Sequence, residues 1–381
     1  MSVKVTKVLF VIGSLHLGGA ERQMALLAVE LVKRGKSVQL FSLEKAGPLC
    51  EMLESSGVRV VDGGYRSTAP PWMKVLMLVR AQFRLCVLAL TWKPQVIHGF
   101  LPLTNLMAAL AGRFARVRRV ITSRRALGLH QERRPGWARF DRLANRLSTV
   151  ITANSQAVAA DVVKRDQVDP AKIECIYNGI EFLRDERADT DRAALRKSIG
   201  LSDTDIAIVS VANLIPYKGH KELIEAVARL SPDWPHIKLV LIGEDRGIGA
   251  ELDALSKRLG IDEQIVRLGR REDVASLLGA MDIGVMASHE EGFSNALLEK
   301  LAAGLPVVAT SVGGNPEALE GMPGCMLVSP RNANDLMRGL QHVLQQQPDH
   351  QGTNDSQYRR KRVLERFSVE SMVASYERIY G

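Results

Sequence analysis

Glu291 and Glu299 are two carboxylates with seven residues between them, Gly292-Phe-Ser-Asn-Ala-Leu-Leu298. Such a pair can act as general acid and base, or can accept hydrogen bonds from ligand hydroxyls. The elements that must position them read clearly. An apolar run, Asp282-Ile-Gly-Val-Met-Ala-Ser288, is a strand and a polar turn; a short helix runs from about Ser294 to Ala303, stops at Gly304, and a strand re-enters at Pro306-Val-Val-Ala309. This is a βαβ unit whose loop lies at the carboxyl end of a parallel sheet, where open α/β folds bind ligands. One carboxylate sits in the loop and the other about a turn and a half into the helix, so both can face one cleft.

A second anion-binding candidate opens the chain. Strand Val8–Ile12 is followed by the loop Gly13-Ser-Leu-His-Leu-Gly-Gly19 and a helix from Ala20 to about Lys33. Gly18 and Gly19 allow backbone N–H groups to approach an anion at the helix N-terminus, although a plain tight turn reads equally well. There is no GxGxxG spacing, so a dinucleotide fingerprint is not supported.

Strands and helices alternate along the rest of the chain. Strands are expected at Ser37–Leu43, Val58–Val61, Gln95–His98, Arg119–Thr122, Thr149–Ala153 and Ile173–Tyr177, and helices at Trp72–Trp92, at Leu103–Gly112 and after Ser155, a good N-cap. Residues 181–205 are polar and read as a linker with a short helix, Arg192–Ile199. A second α/β series then begins at Ala207–Val211 and ends with a strand at Cys325–Val328 and a helix at Ala333–Gln346. The polar run Gln345–Gln357 reads as a loop, and Ser368–Tyr380 as a last helix. The domain division is 1–182, 183–365, and a C-terminal helix 366–381 expected to pack back on the first domain. With 381 residues, two domains are the expectation.

Composition narrows the setting. No segment has the roughly 18 uninterrupted apolar residues of a spanning helix. The chain runs from its start into a strand with no cleavage-site pattern, and Cys50, Cys86, Cys175 and Cys325 are isolated, which suggests a reducing cytoplasm. Net charge is +9, but residues 1–180 hold 27 Lys/Arg against 12 Asp/Glu, and the remainder 24 against 30. From Gly63 to Gln131 there are 11 basic residues and no acidic one. That asymmetry points to a polyanionic partner for the first half. The helix Trp72–Trp92, interrupted by Lys74, Arg80 and Arg84, reads either as an ordinary crossover helix or as one lying on an anionic membrane surface.

Taken together, several short motifs resemble the family 4, retaining, GT-B glycosyltransferases across nearly the whole chain. They are Gly18-Gly-Ala-Glu21, Asn154-Ser155, Asn178-Gly-Ile180, Lys218-Gly219, Gly243-Glu244, Leu268-Gly269, Glu291-Gly-Phe-Ser-Asn295, Glu299 and Gly304-Leu-Pro-Val-Val308. Each is weak alone; their order and spacing are specific. The resemblance implies an α/β, GT-B fold of two Rossmann-like doubly wound domains facing a central cleft. The first would bind an acceptor and the second a nucleotide sugar, a UDP-sugar by preference. Lys218 would meet the charge that grows on the departing diphosphate. The loop of Gly292, Phe293, Ser294 and Asn295 would offer donors to phosphates or hydroxyls. Glu291 would grip the donor sugar and Glu299 the ribose, with Gly18, Gly19, Asn213 and Gly243 also on the donor side and His98 on the acceptor side.

Two departures stand out. Asn213 occupies a position where the family usually carries Arg, and Arg246, Arg270 or a first-domain Arg could replace that cation. Arg124 stands where the family often has His, and is expected to face the leaving phosphate or an anionic acceptor. The resemblance implies retention without an enzymic nucleophile, and the chain has no Ser–His–Asp spacing or HxxEH cluster. Neither a metal nor a cofactor is therefore expected. The acceptor would be a lipid-linked or polysaccharide glycan, the protein cytoplasmic and peripheral on the inner face of the membrane, with no nucleic-acid partner. Two alternatives stay open: a UDP-sugar 2-epimerase on the same fold, and a non-catalytic basic module binding RNA or anionic lipid.

Overall fold

A computed structural model describes residues 7–133, 136–181, 192–346 and 354–381. The chain divides into two compact units, one of residues Met1–Gly179 with Val369–Gly381, the other of Ile180–Ser368.

The first unit contains β1 (Lys7–Ile12), α1 (Gly19–Lys33), β2 (Ser37–Ser42), α2 (Leu49–Ser55), β3 (Arg59–Asp62), α3 (Pro71–Trp92) and β4 (Val96–Phe100). It continues through α4 (Pro102–Phe114), β5 (Arg119–Arg124), α5 (Leu129–Arg133), α6 (Trp137–Leu147), β6 (Val150–Ala153), α7 (Gln156–Asp166) and β7 (Ile173–Cys175). Its seven strands are parallel in the order β3-β2-β1-β4-β5-β6-β7. Central strands of such a sheet are covered on both faces, which is why Val8-Leu-Phe-Val-Ile12 is apolar without alternation and fully buried. Ser155 caps α7, its hydroxyl accepting from the Val158 N–H at 3.1 Å.

The second unit contains α8 (Arg192–Ser198), β8 (Ile206–Val211), α9 (His220–Leu230), β9 (Ile237–Ile242), α10 (Gly249–Arg258), β10 (Ile265–Gly269), α11 (Val274–Gly279) and β11 (Ile283–Met286). Then follow α12 (Asn295–Ala302), β12 (Val307–Thr310), α13 (Asn315–Leu319), β13 (Met326–Val328), α14 (Ala333–Gln345) and α15 (Asn354–Phe367). Its six parallel strands run β10-β9-β8-β11-β12-β13. Each unit is thus doubly wound, and the strand order reverses between β1 and β4 in the first and between β8 and β11 in the second. Those reversals are the topological switch points at which open sheets leave a crevice.

The last helix, α16 (Val369–Tyr380), belongs to the first unit. Its apolar positions, Val369, Met372, Val373, Tyr376, Ile379 and Tyr380, recur at helical spacing and enter the core around β1 and α1.

The loop reading of Gln345–Gln357 is corrected where the structure describes it: Asn354–Gln357 open α15, while residues 347–353 lie outside the described residues. The helix is polar because its work is polar. The Arg359 and Arg360 side chains donate to Gly304 O at 3.0 Å and Ala303 O at 2.9 Å, satisfying carbonyls left over at the end of α12.

Candidate active site

The second unit's switch point gathers the charged residues. After β8 the chain makes a short 3₁₀ turn, Pro216–Lys218, and reverses at Gly219. Gly219 has φ +70°, and a Cβ there would lie 2.0 Å from Ala287 O, so only glycine lets this turn rest on the end of β11. A backbone bond from His289 N to Tyr217 O, 2.8 Å, clasps the two loops together. Lys218 Nζ consequently lies 2.6 Å from Glu291 Oε1, with its ammonium 5.4 Å from the Tyr217 ring centre. Ser288 Oγ donates to the same carboxylate oxygen at 2.7 Å. Gly313, φ +51°, supports the loop from the other side: a Cβ there would lie 2.0 Å from Glu291 O.

The loop then enters α12. Ser294 is its N-cap, the hydroxyl accepting from Leu297 N at 3.2 Å, so that oxygen serves the helix. Phe293 is buried and meets Phe367 edge-to-face at 5.1 Å between centroids. Its ring anchors the loop to α15, so the group Phe293 could offer a ligand is its backbone. Asn295 and Glu299, four residues apart, share the half-exposed face of α12 while Leu297, Leu298 and Leu301 fill the core. Gly292 is buried in the loop, its carbonyl accepting from Gly314 N at 2.8 Å.

Asn213 and Gly243 belong to the neighbouring strand ends. Asn213 Oδ1 accepts from Glu244 N at 3.1 Å, tying the loop after β8 to the loop after β9. Gly243 is required by backbone packing, since a Cβ would lie 2.1 Å from Ala212 O. Of the cations offered as substitutes at Asn213, Arg246 is exposed and paired with Glu244 at 3.0 Å, and Arg270 is exposed.

Beneath this loop lies a residue the sequence reading missed. Lys300 is fully buried, its stem packed on Gly284 of β11 and its Nζ donating to Ala296 O at 3.2 Å. Burial pushes its ammonium down to about 8, while Glu299 and Glu291 favour the charge and Lys218 opposes it. The signal was a lysine on the apolar face of an otherwise leucine-rich helix.

In the first unit the candidates fare differently. Gly18 precedes α1, but the position beside it is taken: a Cβ on Gly18 would lie 2.1 Å from Glu21 Oε2. The Glu21 carboxylate therefore folds over its own helix N-terminus, where the dipole favours it. Burial raises its pKa, offset by its own backbone N–H, Arg125 and His16. Gly19, the first residue of α1, also has an interaction partner.

Arg124 is corrected from a phosphate- or acceptor-facing cation to an internal one. Its side chain is 6% exposed and bonded to Asp141 at 2.6 Å, Asn145 at 2.7 Å and Asp166 at 3.4 Å, joining β5 to α6 and α7. Arg125 points the other way, as alternate residues of an extended chain do. It reaches the Asn178 amide oxygen and the Glu21 and Tyr376 neighbourhood at the carboxyl end of the sheet. The doublet Arg124-Arg125 was the visible signal, but nothing local distinguishes its two members. An Arg124→Met variant is expected to lose about 3–5 kcal/mol of stability, because the buried carboxylates of Asp141 and Asp166 lose the guanidinium between them. It should leave nucleotide-sugar affinity unchanged; denaturant melts and calorimetric titration check the two halves.

His98 is likewise corrected from an acceptor contact to an internal polar bridge. It is fully buried, with Nδ1 2.8 Å from Tyr380 Oη and Nε2 2.7 Å from Ser123 Oγ, stacked on Phe100 at 4.2 Å. Burial, then Arg125, hold it well below the usual histidine range, so the ring is neutral.

Residues 17–182 match the family described as Glycosyltransferase Family 4, and residues 205–346 match Glycosyl transferases group 1. The chain belongs to the family 4, group 1 glycosyltransferases. It is similar to the N-acetyl-alpha-D-glucosaminyl L-malate synthase of Bacillus anthracis, 29% identical over 61% of this chain and 59% of that protein. It is also similar to the Campylobacter jejuni N-acetylgalactosamine-N,N'-diacetylbacillosaminyl-diphospho-undecaprenol 4-alpha-N-acetylgalactosaminyltransferase, 32% identical over 51% of each chain. The chain thus spans about half the length of these relatives, 59% and 51%. In fold it resembles Anabaena HepE, whose structure holds UDP-glucose, at a TM-score of 0.81 and 22% identity over 97% of both chains. The chain has the GT-B fold.

Proposed function

We propose that this glycosyltransferase moves a sugar, with retention, from a UDP-sugar to a lipid-linked or polysaccharide acceptor during cell-surface glycan assembly. The observation that carries the reading is the Lys218–Glu291–Ser288 cluster at the β8/β11 switch point, with half-exposed Glu299 on the helix that follows. The names of relatives lend support: one acts on a diphospho-undecaprenol-linked glycan, and the fold neighbour HepE holds UDP-glucose.

In this reading the second unit binds the donor and the first the acceptor. Lys218 exchanges its Glu291 partner for the donor diphosphate, and the freed carboxylate accepts hydrogen bonds from the sugar hydroxyls. Glu299 takes the ribose hydroxyls. As the bond from the anomeric carbon to the leaving phosphate breaks, the electron pair stays on the diphosphate, where Lys218 and the N-terminus of α12 offset its charge. The acceptor oxygen bonds the same sugar face and passes its proton to the departing phosphate oxygen. Neither a metal nor an organic cofactor is assigned a role.

Incubation with a panel of nucleotide sugars, with and without membrane lipid extract, tests this. UDP release that depends on the extract is expected. Release indifferent to every acceptor would favour epimerase or hydrolase chemistry, and failure to bind any nucleotide sugar by calorimetry would remove both enzymatic readings.

A further inference from the structure

The layer of α3, α4 and α6 on one face of the first unit's sheet is apolar where a soluble surface is ordinarily polar. α3 buries a narrow strip, Ala81, Leu85 and Ala89, in the core it shares with α4 and α6. Its opposite side exposes Trp72, Val75, Leu76, Val79, Phe83 and Leu90, with Phe83 70% and Trp72 64% exposed. These residues fall within about a third of the helix circumference, at 100° per residue, and form one continuous ridge. Contiguous exposed apolar surface of this kind marks an interaction site. Phe114 at the end of α4 and Phe140 in the first turn of α6 are exposed in the same helix layer.

Charge decides the occupant. Arg80 and Arg84 flank the α3 ridge on one side, and Arg113, Arg116, Arg139 and Arg142 stand exposed around Phe114 and Phe140. α3 and α4 contain no acidic residue. A second copy of the chain laid ridge to ridge would set arginine against arginine, and a nucleic acid would leave the valine and leucine surface without a partner. A bilayer with anionic headgroups satisfies both parts: the ridge enters the acyl boundary while the arginines stay at the phosphates. α3 is long and apolar enough by length and composition to cross a membrane, but its buried strip keeps it attached to the unit.

We infer that the α3 ridge with its arginine rim is a membrane-docking face that inserts in the plane of an anionic bilayer. The inference is independent of the donor chemistry, and its test uses no turnover. The full chain is sedimented with vesicles of phosphatidylcholine alone and of phosphatidylcholine with phosphatidylglycerol. Binding to the anionic vesicles is expected, about tenfold stronger than to the neutral ones and weakened by salt. The Val79→Glu/Phe83→Glu variant should lose at least tenfold in partition, and Arg80→Glu/Arg84→Glu should lose the preference for anionic lipid. Circular dichroism and unchanged nucleotide binding verify that both variants fold. Equal sedimentation of wild type and Val79→Glu/Phe83→Glu overturns the inference. So does a concentration-dependent dimer that this variant abolishes without any vesicle binding, or retention by RNA in place of vesicles.

Discussion

Lys218→Ala is expected to lower kcat by roughly 10²–10³-fold, the scale of removing one preorganised group from a transition state. The substitution is structurally mild. Lys218 ends a short turn whose path is set by Gly219 and by the His289–Tyr217 backbone bond, neither of which involves the lysine side chain. Glu291, left without its ammonium, still accepts from Ser288 at 2.7 Å. The loss should therefore appear in catalysis more than in melting temperature. Because charge on the leaving diphosphate is greatest in the transition state, kcat and kcat/KM should fall together, with KM little changed. Steady-state kinetics on wild type and variant decide it. Unchanged turnover would place the phosphate site elsewhere.

Lys300→Met is expected to stabilise the protein at neutral pH by about 1–4 kcal/mol, the range seen when buried charge is exchanged for apolar side chains of similar volume. The direction follows from burial, which holds Lys300 at about 8, below its ordinary 10.5. Below about 8 both folded and unfolded chains carry the proton, and the folded state bears the full cost of the buried ammonium. Between about 8 and 10.5 the unfolded chain binds a proton that the folded chain lacks, so stability rises with pH across that window. In the methionine variant this rise should be missing. Denaturant melts of both proteins at pH 7, 8, 9 and 10 measure it. A variant less stable than wild type at pH 7, or parallel pH profiles, would show that Lys300 is stabilised by its surroundings.

The sequence by itself determined the features that depend on neighbours along the chain. Continuous apolar runs such as Val8–Ile12 specify covered parallel strands, and Ser155 and Ser294 cap the helices that follow them because capping reaches only three residues ahead. The alternation of strand and helix, and the placement of Glu291 in a loop with Glu299 on the next helix, were legible for the same reason.

The tertiary structure decided which way the legible side chains point and what they meet. Lys218 and Glu291 meet across 73 residues of sequence, and His98 finds Tyr380 across 282. Arg124 and Arg125 are chemically identical neighbours, yet extended backbone sends one into the Asp141–Asp166 cluster and the other toward Glu21. Phe293 packs on Phe367 because α15, a helix of polar residues without an apolar run to announce it, lies over α12. Burial of Lys300 could not be read either, since charge alone suggests exposure. What a short motif leaves open is side-chain direction, and direction is set by contacts that form only when distant segments pack.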